Sequence, residues 1–197
     1  MATPDILQLK ITLLGTQPPI WRRLLVPSSM TLAALHQTIQ LSFGWTESHL
    51  HEFTIAGISY GNPEMLDGGI EDEDAARLSS VLHRKGMKGR YVYDFGDDWT
   101  HEILLEKKLE EDTTVSAVEL PVCIDGKLLC PPEDCGGVGG FYDLVEAMAD
   151  PEHPRHEELS EWLDEPFSPK DFSIEQTNLA LAPLRKKSTR KRATRGA

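Results

Sequence analysis

Three carboxylates and one imidazole crowd a short stretch near the middle of the chain. Asp94, Asp97, Asp98 and His101 fall between two alternating runs that are typical of β-strands joined by a tight turn. A turn needs a Gly and at most one Asp, so the excess of polar side chains indicates a site. Carboxylates beside an imidazole act as general acids and bases or as ligands of a divalent metal. These four residues are the candidate catalytic group.

The register of this hairpin decides which polar residues face each other. A turn at Asp97 and Asp98 places Asp94 opposite His101, whereas a turn at Gly96 and Asp97 places Asp94 opposite Trp99. Both registers remain open. Alternation predicts one shared face on each strand: Tyr91, Tyr93 and Phe95 on the first, and Trp99, His101, Ile103 and Leu105 on the second.

Cysteines form a second candidate group. Cys130 and Cys135 bracket Pro-Pro-Glu-Asp, at the edge of the spacing that zinc-binding cysteine pairs use, and Cys123 or a His from elsewhere would complete the ligand set. Buried cysteines that act as small apolar side chains are the alternative. The prolines and glycines between Cys123 and Gly137 predict a shaped loop without helix or regular strand.

Two histidines provide further metal-ligand candidates. His49 and His51 alternate at the start of a predicted strand, so both point to one face and could chelate zinc or another divalent metal. The alternative is a pair of hydrogen-bonded side chains flanking Leu50. The sequence contains no P-loop, dinucleotide fingerprint, serine elbow or H-E-x-x-H motif.

Basic residues offer two candidate nucleic-acid contacts. Arg22 and Arg23 follow Trp21, and such a basic and aromatic group binds phosphate or carboxylate unless it pairs with the protein's own acids. The C-terminal residues 184–197 hold seven of the 20 Lys and Arg and no acid. The candidates in this tail are Lys186, Lys187, Arg190, Lys191 and Arg192. A solubilising appendage is the alternative interpretation of the tail.

The elements that must position these groups follow from hydrophobic periodicity. Residues 7–13 and 20–26 alternate as two strands, and a helix capped by Thr31 runs to about Phe43, with Gly44 just past its end. A third strand is predicted over 49–55. This order of strand, strand, helix and strand is β-grasp-like.

The second half of the chain combines the hairpin with helices. Residues 62–75 are predicted as a loop whose acidic run, 71–74, is a solvated face, and 110–118 as a polar connection. Helices are predicted over 141–149 and 155–163, and a last helix begins after Ser173, whose spacing to Gln176 is that of a capping box, and ends near Pro183. The predicted fold class is α+β, with a mixed or antiparallel sheet, a central hairpin and C-terminal helices.

Composition restricts the class of protein. The 197 residues are 40% apolar, which suits one domain over 5–183 followed by a basic disordered tail over 184–197. All 32 acidic residues precede that tail, so the body repels nucleic acid unless a local patch or a metal intervenes. Without a signal peptide or membrane span, and with three Cys, we expect a cytoplasmic protein. The oligomeric state stays open.

Five motifs occur in one order along the chain. They are Pro18-Pro-Ile-Trp-Arg-Arg23, Leu35-His36 with Gln40, Phe43-Gly-Trp45 with His49-Leu-His-Glu-Phe53, Tyr93-Asp-Phe-Gly-Asp-Asp-Trp99 with His101, and Cys130-Pro-Pro-Glu-Asp-Cys-Gly-Gly137. Together they resemble the plasmid pRiA4b ORF-3-like family over about Ile6 to Leu181. Val138-Gly-Gly-Phe141 departs from the Trp-Gly-Tyr pattern expected there.

The resemblance implies an α+β fold and a link with mobile elements, because members occur as passenger genes of insertion sequences and are sometimes labelled TnpR. It supplies no biochemical activity, and the sequence lacks the residue groups of a serine or tyrosine recombinase.

Three hypotheses follow. The favoured one is a non-enzymatic accessory module that binds a protein or nucleic-acid partner of a mobile element. The second is a metal-dependent hydrolase or nuclease that uses the hairpin, His49 and the cysteine loop to activate water. The third is a structural zinc or thiol loop without catalysis. The functional hypotheses expect the hairpin aspartates, His101 and the cysteine loop to converge in space.

Overall fold

The structure, a computed structural model, describes residues 6–66, 68–109, 119–163 and 166–185. It contains eight strands: β1 (Ile6–Leu13), β2 (Ile20–Pro27), β3 (His51–Ile55), β4 (Ile58–Gly61), β5 (Glu71–Asp72), β6 (Lys88–Tyr93), β7 (Trp99–Leu109) and β8 (Val122–Lys127). The α-helices are α1 (Leu32–Phe43), α2 (Leu78–Val81), α3 (Gly137–Ala149), α4 (His156–Trp162) and α5 (Ile174–Leu181). The α+β class is therefore confirmed.

All eight strands form one sheet in the order β5-β4-β3-β6-β7-β1-β2-β8. Every pair is antiparallel except β4 with β5. The predicted order of strand, strand, helix and strand at the N-terminus is confirmed. In the sheet, however, β1 and β3 are not neighbours, because the two strands of the central hairpin, β6 and β7, lie between them.

One face of the sheet carries the core because alternate side chains point to it. Leu9, Ile11 and Leu13 of β1 are buried there, and Leu35 and Ile39 of α1 pack against that face. Apart from a small buried cluster of Ile6, Leu25 and Leu120, the opposite face is polar. It carries exposed or half-buried ion pairs, among them Arg23 with Glu106 and Lys88 with Glu102, each at 2.7 Å.

Helix α1 begins and ends as its sequence predicts. The Thr31 side chain accepts a hydrogen bond from the Ala34 backbone N–H at 3.2 Å, and Gly44 adopts a left-handed conformation with φ of 88°. The last helix is also confirmed, since the Ser173 hydroxyl accepts the Gln176 backbone N–H at 3.2 Å.

The stretch from Cys123 to Gly137 is not entirely a loop, so that prediction is wrong at both ends. Its first five residues belong to β8, where no proline interrupts the pairing with β2, and Gly137 already begins α3. The outer edge of β8 is covered by α5. The Asn178 amide accepts from the Cys123 backbone N–H at 2.9 Å and donates to the Cys123 carbonyl at 2.7 Å, as a neighbouring strand would.

The acidic run 71–74 is not simply a solvated face. Glu73 is only 6% exposed, whereas Glu71, Asp72 and Asp74 are exposed. The Glu73 carboxylate lies 2.8 Å from His51 Nε2, so the prediction is wrong for this residue. The predicted loop over 62–75 also contains β5.

The boundary between the domain 5–183 and the tail 184–197 stays a prediction, and one residue assigned to the tail contacts the body. Arg185, assigned to the tail from composition, donates to the Pro121 carbonyl at 3.1 Å and to the Asn178 side-chain oxygen at 3.1 Å. The remaining tail residues 186–197 and the connection 110–118 lie outside the described residues. Among the described helices, none has the length and apolar character that crossing a membrane requires.

Candidate functional site

The hairpin adopts neither of the two predicted registers. Tyr93 pairs with Trp99, and residues 94–98 form a wider loop that the Asp98 backbone N–H closes by donating to the Asp94 carbonyl at 2.7 Å. Both aspartates adopt left-handed conformations, with φ of 56° and 53°, which Asp tolerates better than most residues. Because the strand ends at Tyr93, Phe95 is 49% exposed, and the prediction that it shares a face with Tyr91 and Tyr93, which are buried, is wrong.

The carboxylate of Asp94 is held rigidly by its own loop. Its Oδ1 accepts the backbone N–H groups of Gly96 at 2.9 Å and Asp97 at 3.4 Å. This is the local bond pattern that Asp favours in turns. The second oxygen, Oδ2, lies 3.6 Å from His49 Nε2.

The cysteine loop packs directly on the hairpin. Asp97 Oδ2 accepts the Gly136 backbone N–H at 3.2 Å. A Cβ on Gly137 would lie 2.6 Å from the Asp97 carbonyl oxygen, and its φ is +66°, so this close approach requires glycine. The expected convergence with the cysteine loop is therefore present for Asp97, whereas the Asp98 carboxylate accepts from the Thr100 hydroxyl instead.

Glu133 connects the cysteine loop to the segment between α1 and β3. Its carboxylate accepts the Thr46 backbone N–H at 3.1 Å and the Thr46 hydroxyl at 2.5 Å. The Tyr93 hydroxyl also donates to this carboxylate. Burial raises the pKa of Tyr93, and the Glu133 carboxylate raises it further. These hydrogen bonds hold together the cysteine loop, the end of β6 and the segment between α1 and β3.

His49, Asp94 and Asp134 form the one group of three or more potential metal ligands among the residues that the structure describes. His49 Nε2 lies 3.1 Å from Asp134 Oδ1 and 3.6 Å from Asp94 Oδ2, and the three ligand atoms lie within 4.8 Å of one another. His49 Nε2 is buried, but neither carboxylate is aligned with it well enough to form a hydrogen bond. The side chains are 29%, 11% and 69% exposed, so the site opens to solvent on the side of Asp134.

The 3.1 Å separation is that of two ligands to a shared cation, and the 3.6 Å separation is slightly longer. Two ligand atoms, each about 2.1 Å from a metal, lie about 3.0 to 3.4 Å apart in octahedral or tetrahedral geometry. One imidazole and two carboxylates suit Zn²⁺, Mn²⁺ or Fe²⁺ better than the all-oxygen ligand sets of Mg²⁺ and Ca²⁺.

His101 does not join this group, so the expected convergence is wrong for this residue. Its strand position pairs it with Tyr91 and Leu13, and its ring lies among Phe43 and Trp45 with no exposed area. Burial lowers the pKa of His101 to about 3. Neither ring nitrogen has a well-aligned hydrogen-bond partner among the described residues.

His51 is also separated from His49, which precedes β3 and does not follow its alternation. His51 Nε2 contacts the Glu73 carboxylate, and the His51 ring stacks on that of His36 with centroids 3.4 Å apart. The Tyr91 hydroxyl lies 2.8 Å from His36 Nδ1, and burial lowers the pKa of His36 to about 3.

The three thiols do not belong to any group of three metal ligands in the described part of the chain. Cys130 is buried in the core, and burial raises its pKa. Burial is the main cause that raises the pKa of Cys135 to about 12, and the negative charge of Asp97 contributes less. Cys123 lies in β8 and its Sγ contacts the Asp125 carbonyl at 3.3 Å. The geometry resembles buried apolar thiols more than a zinc knuckle.

The two arginines after Trp21 do not form a joint phosphate-binding patch. Arg22 is 1% exposed and donates to the backbone carbonyls of Ser42 at 2.8 Å and Leu128 at 2.9 Å. Arg23, on the other face of β2, pairs with Glu106 and Asp125. The sequence contains a signal for the burial of Arg22, because strand alternation places this residue on the same face as Ile20, Leu24 and Val26.

Asp134 is the member of this group that sequence reasoning missed. It lies between the two cysteines that drew attention to this loop, and its φ of 59° marks the tight turn there. In the sequence its carboxylate is only one part of the cysteine motif. Sequence reasoning also missed Glu133, which bonds Thr46, and Glu73, which contacts His51. These partners are distant in the chain, so no local pattern indicates the contacts.

Comparisons with known proteins agree with the motifs. The family model described as plasmid pRiA4b ORF-3-like protein matches residues 5–176. The uncharacterized protein y4hQ of Sinorhizobium fredii (strain NGR234) is 36% identical over 190 residues, which cover 95% of this chain and 96% of that protein. The crystal structure of MM3350, a protein of unknown function from Methanosarcina mazei Go1, is similar at 35% identity with a TM-score of 0.77, over 88% of this chain and 96% of that one. This chain therefore belongs to the plasmid pRiA4b ORF-3-like family.

Proposed function

We propose that this protein binds a divalent metal ion through His49 Nε2, Asp94 Oδ2 and Asp134 Oδ1. The observation that carries the proposal is the buried His49 nitrogen, which lies between two carboxylate oxygens without a well-aligned hydrogen bond to either. A buried polar atom without a partner is costly, and a cation between the three atoms would satisfy it.

The surroundings support a preorganised site. Asp94 is held by the backbone N–H groups of its own loop, and Asp134 follows Glu133, which Thr46 and Tyr93 hold in place. Left-handed conformations at Asp94 and Asp134 place local strain at the two carboxylate ligands, and such strain often accompanies functional sites. Three protein ligands leave coordination positions for water or a substrate, as catalytic metal sites do.

Removing one ligand tests the proposal. Asp94→Asn and Asp134→Asn should each lower the affinity for Zn²⁺ or Mn²⁺ by at least about 100-fold, because each removes a charged ligand from a set of three. Asn keeps the left-handed conformation and, at position 94, the oxygen that accepts the loop N–H groups. Metal analysis and calorimetric titration of the protein without a His tag measure the effect.

Asp98→Asn is the matched control, because Asp98 lies in the same loop and its carboxylate accepts from Thr100 rather than facing His49. Cys130→Ser and Cys135→Ser should also retain the metal. Loss of metal in the cysteine variants alone would instead support a structural zinc loop. Absence of binding to the wild-type protein would contradict the proposal.

A second candidate function is the accessory binding module of a mobile element. The observation that favours it is the composition of the C-terminus, where residues 186–197 hold six basic residues and no acid. The body of the chain is acidic, so the tail would be the contact with a nucleic acid. The link with mobile elements that the family resemblance implies is consistent with such a partner.

Truncation after Arg185 tests this second function. The shortened protein should lose retention on DNA at low salt, and its melting temperature should stay unchanged because Arg185 and its bonds to Pro121 and Asn178 are kept. The full chain should show a slope of about −4 to −5 for log K against log salt concentration if about five of the six charges contact phosphates. Equal retention of both proteins would rule out the tail as the contact.

A further inference from the structure

A cleft of about 240 Å³ adjoins the proposed metal site, and His49 belongs to both. Its other walls include Glu47, His51, Met65 and Leu66. Since His49 is a proposed ligand, a molecule in this cleft would lie beside the coordination positions that the protein leaves open. The inference below therefore rests on the proposed function.

The electrostatics of the site are negative even with a divalent cation in place, because two aspartate ligands already neutralise its charge. Glu47 lines the cleft, and Asp97 and Glu133 lie around the two aspartate ligands. The donors to Asp97 and Glu133 in the described structure are backbone N–H groups and hydroxyls, which leave the negative charge uncompensated. An anionic substrate would be repelled here.

Basic side chains do not offset this charge. None of the residues that line the 240 Å³ cleft is a Lys or Arg. A smaller cavity of about 160 Å³ on the side of Asp134 includes Arg155, but this guanidinium already pairs with Asp143 and, at 2.9 Å, with Glu158. A phosphate group would therefore find no free cationic partner beside the metal ligands in the described part of the chain.

Apolar side chains provide the complementary attraction. Leu50 and Met65, both in the wall of the cleft, are 39% and 63% exposed, and Leu66 lies beside them. Phe95, at the tip of the hairpin loop next to Asp94, is 49% exposed. Exposed apolar side chains grouped around a polar site commonly bind an apolar part of a ligand.

We propose that this site hydrolyses carboxylic amides or esters whose acyl part is apolar and uncharged or cationic, and that it rejects phosphodiesters. The metal that His49, Asp94 and Asp134 would hold would activate a water molecule, whose oxygen would attack the carbonyl carbon while the proton that it loses passes through solvent to the leaving group. The C–N or C–O bond then breaks, and the departing amine or alcohol receives a proton. The products are one carboxylic acid and one amine or alcohol, with no change of oxidation state.

Turnover of two probes by the Zn²⁺- or Mn²⁺-loaded full chain tests this substrate class. We expect kcat/KM for leucine p-nitroanilide, which has a cationic amine and an apolar side chain, to exceed that for bis(p-nitrophenyl) phosphate at least 100-fold. Asp134→Asn, assayed with the same added metal, provides the background for hydrolysis by free ions.

The role of the negative charge is tested by Glu47→Gln, which should lower kcat/KM for leucine p-nitroanilide about 3- to 10-fold and leave that for its uncharged N-acetyl derivative nearly unchanged. Glu64→Gln is the matched control, since Glu64 is exposed and is not in the cleft wall. Equal or faster turnover of the phosphodiester, or metal binding without turnover of either p-nitroanilide, would overturn the inference while the metal site stands. Calorimetric titration separates both outcomes from a protein that binds no metal.

Discussion

Replacing Arg22 by methionine should lower the free energy of unfolding by about 3 kcal/mol. The Arg22 guanidinium lies in the core, over the Phe172 ring at 3.9 Å, and bonds the carbonyls of Ser42 and Leu128. It thereby joins β2 to the end of α1 and to the segment after β8. Methionine fills much of the same volume but leaves these buried acceptors without a donor, at a cost of about 1–3 kcal/mol each. Part of that loss is offset because no charge remains to be desolvated.

Arg23→Met is the matched control for this experiment. Arg23 neighbours Arg22 in the same strand, but its side chain is 23% exposed and its ion pairs with Glu106 and Asp125 face solvent. Partly exposed pairs contribute at most about 1 kcal/mol. Urea unfolding of both variants measures the difference. Similar losses in the two variants would contradict a special role for the buried guanidinium.

Stability should decline steeply as the pH falls below about 6.5. Burial holds the pKa of His36 and of His101 near 3, whereas both titrate near 6.5 in the unfolded chain. The unfolded state therefore binds more protons between these values, and each histidine lowers the free energy of unfolding by about 1.4 kcal/mol per pH unit. At pH 5 the two together should remove about 4 kcal/mol that is fully present above pH 7.

Urea unfolding from pH 5 to pH 7.5 of the protein and of His101→Leu measures this linkage. The variant should lose about half of the pH dependence, because His36 alone remains, and it should retain near-native stability at pH 7.5 since the ring nitrogens of His101 have no well-aligned bonds among the described residues. His83→Gln is the control, because His83 is exposed. An unchanged slope in His101→Leu would contradict the burial of a neutral imidazole.

The elements whose signals are local could be predicted from the sequence. Alternation placed β1 and β2, and the caps at Thr31, Gly44 and Ser173 placed the ends of α1 and the start of α5, because each signal depends on residues within one or two turns. The Pro- and Gly-rich stretch after Cys123 carries no comparable local signal. There β8 forms because β2 and Asn178 of α5 satisfy both of its edges, and neither partner is near it in the chain.

The sequence by itself determined the family, the α+β class, and the two segments that meet at the candidate site, namely the aspartate hairpin and the cysteine loop. It did not determine which side chains face each other there. The tertiary structure brings His49 and Asp134 to Asp94 and places His101 in the core. Both imidazoles lie near polar and aromatic residues in the sequence, so local pattern cannot distinguish them. Pairing partners distant in the chain set the register of the hairpin and the path of each loop, and those contacts decide which nitrogen meets the carboxylates.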